Sequence, residues 1–211
     1  MDDSHFLTSI EDLTTLYGEP NERSAKKEIY HLDEHCRALI AASPFMLLAT
    51  SGTNSADCSP RGDPPGFVKV LDDHTLLIPD RKGNNRVDSL KNIIENPLVG
   101  LLFMIPGVNE TLRVNGRAHI SVDPELCASM PMQGKTPTSI LVVTVIEAFI
   151  QCSRALVRSD LWNPENYVPR NTLPSTGTIL AAHIGEPMNV AAYDAQMETT
   201  VRKTLYGRDD G

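Results

Sequence analysis

Residues 111–122, TLRVNGRAHISV, constrain the fold more than any other stretch of the chain. Leu112, Val114, Ala118, Ile120 and Val122 alternate with Arg113, Asn115, Arg117, His119 and Ser121. A period of two puts one set on a buried face and the other on a polar face, which predicts a half-buried β-strand. Five more apolar runs accompany it: PFMLLAT (44–50), GFVKVL (66–71), HTLLIP (74–79), PLVGLLFMIP (97–106) and ILVVTVIEAFIQC (140–152). SGTNSA, LDDH and GNN, which are turn chemistries, separate them. The last run is apolar on both faces except at Glu147 and Gln151, as expected of a central strand or of one covered by another subunit. Between HTLLIP and PLVGLLFMIP, RVDSLKNIIENP carries Leu90, Ile93 and Ile94 at helical spacing and stops at Pro97. The sum is an antiparallel barrel with one inserted helix.

Helical patterns flank this barrel. Ile29, Leu32, Cys36, Leu39 and Ile40 recur at three- and four-residue intervals behind Ser24, the expected N-cap, and predict a helix ending before Pro44. After Asp160, Pro164, Pro169, Pro174 and Pro187 punctuate the tail, with helices expected in TGTILAAHI and NVAAYDAQMETTVRKTLYG. The expected organisation is a helical extension over 1–43, a barrel over 44–163, and a loop with helices over 164–211 packing on the barrel.

Composition excludes several function classes. A net charge of −8 and a pI near 5.2 argue against nucleic-acid binding, which needs a basic face. No apolar run reaches the length of a membrane span, and the start, MDDSHFLTSIEDL, lacks leader features, so a cytoplasmic protein is expected. Cys36, Cys58, Cys127 and Cys152 form no CxxC pair, which suggests buried reduced thiols rather than zinc or disulfides. HLDEH (31–35) matches a short zinc-peptidase pattern if His31 and His35 share a helix, but no second helix supplies the further carboxylate, so no metal is expected.

Against this acidic background, local basic clusters stand out. In IPDRKGNNR (78–86), Gly83 can expose backbone N–H groups, Asn84 and Asn85 can donate, and Arg86 sits where the helix begins. Such a set seats a phosphate at a helix N-terminus, or forms a solvated turn; residue types alone do not choose. In ADCSPRGDPPGF (56–67), Ser59, Arg61 and Asp63 lie where a strand gives way to a loop that Gly62, Pro64, Pro65 and Gly66 make irregular. That loop either displays Arg61 to an anionic or heteroaromatic ligand or is a proline-rich hairpin. Thr111, Arg113 and Asn115 share one strand face, and Arg154, Arg158 and Ser159 lie near Trp162, the single tryptophan.

In order, SPRGDPPGFVKVLDD, IPDRKGNNRVDSLKNIIENPLVGLLFMIPG and ETLRVNGRAHIS resemble the pyridoxamine 5′-phosphate oxidase-like FMN-binding split-barrel family, over roughly residues 43–163. The resemblance implies a mainly β fold with flanking helices, a six-stranded antiparallel split barrel that forms a homodimer with FMN between the subunits. It also implies site residues. Ser59, Pro60, Arg61, Gly62, Phe67 and Val68 would approach the flavin, and Pro79 and Asp80 would lie along its ring or ribityl chain. Asn84, Asn85 and Arg86 would hold the phosphate, while Thr111, Arg113, Arg158, Ser159 and Trp162 would complete the pocket across the interface. In true pyridoxamine phosphate oxidases the corresponding strand ends in LLK and a C-terminal Arg-x-His segment holds the substrate; here these read GFVKV and RKTLYGRDDG. The function implied is an FMN-dependent oxidoreductase acting on a small organic molecule, with the chemistry carried by the flavin and no side chain assigned as acid or base. The alternatives are a split barrel that binds F420 or haem, and a non-catalytic FMN-binding protein.

Overall fold

The computed structural model describes residues 5–207. Residues 1–4 of the expected N-terminal extension and 208–211 of the expected tail lie outside the described residues.

The barrel forms where the alternation predicts. Its strands are β1 (Phe45–Ser51), β2 (Ala56–Gly62), β3 (Lys69–Val70), β4 (Thr75–Asp80), β5 (Leu98–Met104), β6 (Thr111–Ser121) and β7 (Ser139–Gln151). All pair antiparallel in one sheet of order β2-β1-β5-β6-β7-β4-β3. Met46 and Leu48, Leu76 and Ile78, Val99, Leu101 and Phe103, Leu112 and Val114, and Leu141 and Val143 meet inside it. On β6 the expected alternation holds from Leu112 to Ala118, with Arg113, Arg117 and His119 exposed; Val122 falls outside the strand. As its apolarity predicts, β7 is interior, paired to β6 on one side and β4 on the other. Near its start it is buried on both faces, because Ile140 joins Leu77, Cys127 and Met130 under α5 (Pro124–Ala128).

There are seven strands rather than six. The extra one is β2, expected as the site where a strand turns into a loop; instead it runs beside β1, with Leu48 opposite Ser59 and Met46 opposite Arg61. Pro60 is tolerated because β2 is an edge strand, where a missing N–H costs no ladder bond. Phe67 and Val68 are buried but precede β3 rather than lying in a strand.

The N-terminal region differs more. The chain has helices α1 (Ile10–Tyr17), α2 (Glu22–Lys26) and α3 (Glu34–Ala42), with Asn21 rather than Ser24 capping α2 and Asp33 capping α3. Ile29 is not helical: its N–H and C=O bond to Ala148 at 3.0 and 2.7 Å. The β4 ladder on β7 ends at Thr144, and Ile29 takes up the edge left beyond it. Leu32, Cys36 and Ile40 still enter the core, so the apolar spacing holds while the backbone carrying it changes. His31 therefore precedes α3, and the one-turn spacing with His35 that a metal would need is absent.

After β7 come α6 (Arg154–Ser159), two 3-10 turns at Pro164–Asn166 and Arg170–Thr172, α7 (Thr176–Ile184) and α8 (Val190–Lys203). The last two match the expected segments. Of the cysteines, Cys36 and Cys127 are buried, whereas Cys58 and Cys152 are exposed, contrary to the expectation of buried thiols. No helix among the described residues is long and apolar enough to cross a membrane.

Candidate functional site

The sheet does not close by backbone pairing between β2 and β4, and side chains bridge that split instead. Arg61 Nη1 donates to Asp80 Oδ1 at 2.7 Å, and Arg81 Nε donates to Asp63 Oδ2 at 2.7 Å. Each pair joins the β2 side to the end of β4, with the basic partner reversed. Asp63 has no exposed side-chain surface, so its charge is sustained by its partners: Arg81, and the Tyr206 hydroxyl, which donates to Oδ1. Arg81 also donates from Nη1 to the Met130 carbonyl at 2.9 Å, which makes it structural where its sequence position suggests only a local field. The buried Nε of Arg61 has no hydrogen-bond partner among the described residues.

Beside this split lies a cavity of about 960 Å³. Its lining comes from β2, Phe67, the end of β4 with the loop and first turn of helix α4 (Asp88–Glu95), the stretch 135–139 that leads into β7, and Leu205 and Tyr206. Arg61, Arg81, Lys82, Arg86 and Lys135 face three carboxylates, Asp57, Asp80 and Asp88. In a chain of net charge −8, the cavity is locally positive and favours an anion.

The loop at 81–87 has left-handed backbone, though not at the residue expected. Left-handed conformations fall on Asn85 (φ 60°) and Val87 (φ 51°), not on Gly83. Asn adopts this region readily, whereas a β-branched residue is strained there. Val87 is also the N-cap of α4 and offers no side-chain acceptor to the first-turn amides, while Asn84 Oδ1 accepts from the Arg86 N–H at 3.1 Å. Arg86 is largely exposed and donates from Nε to Asp88 Oδ2 at 2.8 Å. This contact holds the Asp88 carboxyl below the usual range and pushes the guanidinium further up.

Under the loop, Ser89 donates to Asp57 Oδ2, and Ser89 Oγ lies 2.9 Å from Ser59 Oγ. The period of two along β2 aligns Asp57, Ser59 and Arg61 on the cavity side.

Of the residues expected at the site, Ser59, Pro60, Arg61, Gly62, Phe67, Pro79, Asp80, Asn84, Asn85 and Arg86 line this cavity. Val68 belongs to the core. Thr111, Arg113, Arg158, Ser159 and Trp162 do not line it in the single chain. Thr111 is buried, Arg113 lies 5.6 Å from the Phe149 ring, Ser159 bonds to its own helix, and Trp162 Nε1 donates to the Val108 carbonyl at 2.9 Å. The stretch 135–139 escaped sequence reasoning because only the long-range pairing of Asp80 with Ser139 brings it there. Asp57 and Ser89 had a signal: polar residues at strand and helix spacing from Ser59 and Arg86.

A family model described as pyridoxamine 5′-phosphate oxidase matches residues 32–152, more than half of the chain and all of the barrel. The chain belongs to this family. No curated protein matches the sequence. Similar solved structures include Group A Streptococcus HupZ, 15% identical, covering 56% of this chain and 92% of that one with a TM-score of 0.47. An FMN-binding protein from Syntrophomonas wolfei is 13% identical, with 55% and 83% covered and a TM-score of 0.44. General Stress Protein 26 from Bacillus anthracis is 15% identical, with 54% and 88% covered and a TM-score of 0.41. Within the family match fall every cavity residue on β2, β4 and α4; Leu205 and Tyr206 lie beyond it.

Proposed function

We propose that the cavity binds FMN and that the protein is a homodimeric oxidoreductase acting on a small organic molecule. The observation that carries this is the strained, uncapped start of α4 behind Arg86, in a locally positive cavity of an acidic chain. The residues present fit the group. Free first-turn amides, the helix dipole and the Arg86 guanidinium suit a phosphate, and the unpartnered Arg61 Nε is a donor awaiting an acceptor. At about 960 Å³ the cavity is at the upper end of the roughly 300–1,000 Å³ typical of small-molecule sites.

Asn84, Asn85 and Arg86 would hold the phosphate. Ser59, Arg61, Gly62, Phe67, Pro79 and Asp80 would position the ring system and ribityl chain, with Asp80 keeping Arg61 in place. The flavin, when bound, supplies hydride or electron transfer; the protein supplies orientation, charge and exclusion of water. Arg113, Arg158, Ser159 and Trp162 fit this site as contributions from a second copy, whereas Thr111 is buried within its own chain.

The outer sheet face supports that pairing. Leu98 and Ile146 are exposed there and border a shallow apolar groove with Ala49, Val99 and Gly100. Apolar surface on a sheet face is costly to leave in water, and a second copy of the chain would cover it.

Native mass spectrometry of freshly purified protein tests both parts, with FMN bound to a dimer expected. Replacing Arg86 with Ala should weaken FMN binding by about 1.5–3 kcal/mol through loss of a charged hydrogen bond, read by fluorescence titration. Unchanged affinity in that variant would remove the phosphate assignment. Ile146→Lys should convert dimer to monomer in sedimentation; a persistent dimer would move the interface elsewhere.

A further inference from the structure

The C-terminal segment of the described residues meets the cavity through a specific contact. Helices α7 and α8 pack on each other, with Gly177 N–H donating to Asp194 Oδ1 at 2.8 Å, yet α8 buries no residue and neither helix enters the core clusters. Beyond α8, Leu205 and Tyr206 reach the cavity wall. Leu205 lines the cavity and is half exposed. Tyr206 donates its hydroxyl to Asp63, and the Arg81 guanidinium carbon lies 5.8 Å from its ring centre. A fully buried carboxylate thus serves two purposes, binding Arg81 across the split and gripping the C-terminal segment. The Asp63 hydrogen bond also raises the pKa of the phenol from its ordinary value, so the donor persists further into the alkaline range.

We propose that Tyr206 is a specificity-determining residue: its hydroxyl straps the C-terminal segment to Asp63, and its ring with Leu205 forms a wall that limits the size of the planar anionic molecule admitted beside Arg61 and Asp80. The ligand class rests on the proposed flavin site, since planarity and anionic charge suit a molecule meeting an aromatic wall and a positive cavity. The strap itself stands on the Tyr206–Asp63–Arg81 geometry alone.

Two measurements on the full-length protein separate these layers. First, trypsin cleavage after Arg202 and Lys203 is followed in the flavin-free protein. Tyr206→Phe, which loses only the hydroxyl, should release the C-terminal peptide about tenfold faster than wild type, because one hydrogen bond to a charged group holds the closed form. Equal cleavage rates would overturn the strap whether or not flavin binds. Second, sulfonated quinones of one, two and three fused rings are bound by equilibrium dialysis to protein with and without added FMN. Wild type should prefer the smallest over the largest by about tenfold, as shape exclusion allows, and Tyr206→Ala should lose that preference when both proteins are compared at a temperature at which circular dichroism shows them folded. The same preference in Tyr206→Ala would overturn the specificity role. Wild type that binds no FMN would end the flavin assignment but leave the cleavage result to decide the strap.

Discussion

Two hydroxyl protons decide what Ser59 can do. The Ser89 hydroxyl has one proton and gives it to the Asp57 carboxylate, so Ser89 Oγ must accept from Ser59. The Ser59 proton is thereby spent inside the protein, and the cavity meets only its lone pairs. Ser59 is thus poised to read a hydroxyl or N–H of a ligand, and it is not a phosphate donor, a role proposed for Asn84, Asn85 and Arg86. Ser59→Ala should weaken FMN binding by about 0.5–1.5 kcal/mol with little change in stability. Ser89→Ala removes the donor from Asp57 in a buried position and should destabilise the fold by about 1–3 kcal/mol in urea melts. An unaltered urea midpoint in Ser89→Ala would show that the chain of hydroxyls does not hold Asp57. The polar types at these positions were legible in the sequence; the proton directions needed the distances.

At the scale of elements, the clearest case is the long β6–β7 pair. Its register shifts between Asn115 and Gly116, where β7 carries one residue more than its partner. A Cβ on Gly116 would lie 2.5 Å from the Thr144 carbonyl and 2.8 Å from Val143 Cγ1, so the bulge closes only over glycine. Gly116→Ala should cost about 1–3 kcal/mol of stability by chemical denaturation, since the clashing atom is backbone and cannot swing aside. Sequence alternation located this strand to within a residue or two but passed over the bulge, because one glycine in an alternating run has no period of its own. The α3 boundary failed for a related reason. Helical spacing from Ile29 to Ile40 is equally satisfied by an edge pairing followed by a helix, and the vacant edge of β7 beyond Thr144 chose the second.

For the whole molecule, buried acid groups set how stability depends on pH. Burial and the Asp33 carboxylate push the Cys36 thiol from its ordinary 9.0 up to about 11. The Asp33 carboxyl is held low, chiefly by the Cys36 backbone N–H that it accepts as the cap of α3. In the folded state Cys36 keeps its proton longer than in the unfolded chain, so the stabilisation is full below pH 9 and is lost as pH rises toward 11. Tyr206, raised mainly by Asp63, acts in the same direction at higher pH. Denaturant midpoints measured between pH 8 and pH 11 should therefore fall, and fall less steeply in Cys36→Ala; parallel profiles would show that this thiol does not contribute.

The sequence by itself determined the elements whose signals are local: the alternating strands, the helix of 88–95 with its preceding basic turn, and the two C-terminal helices. It also placed the polar residues that β2, β4 and α4 carry to one cavity, through a run long enough to show the family. Only the tertiary structure decided which distant groups meet. The ion pairs closing the split, the stretch 135–139 and Tyr206 depend on side chains up to 143 residues apart in the chain, and no local pattern encodes such a contact. A strand's period reports which face is buried, whereas a bond between Asp63 and Tyr206 exists only after every intervening element has packed.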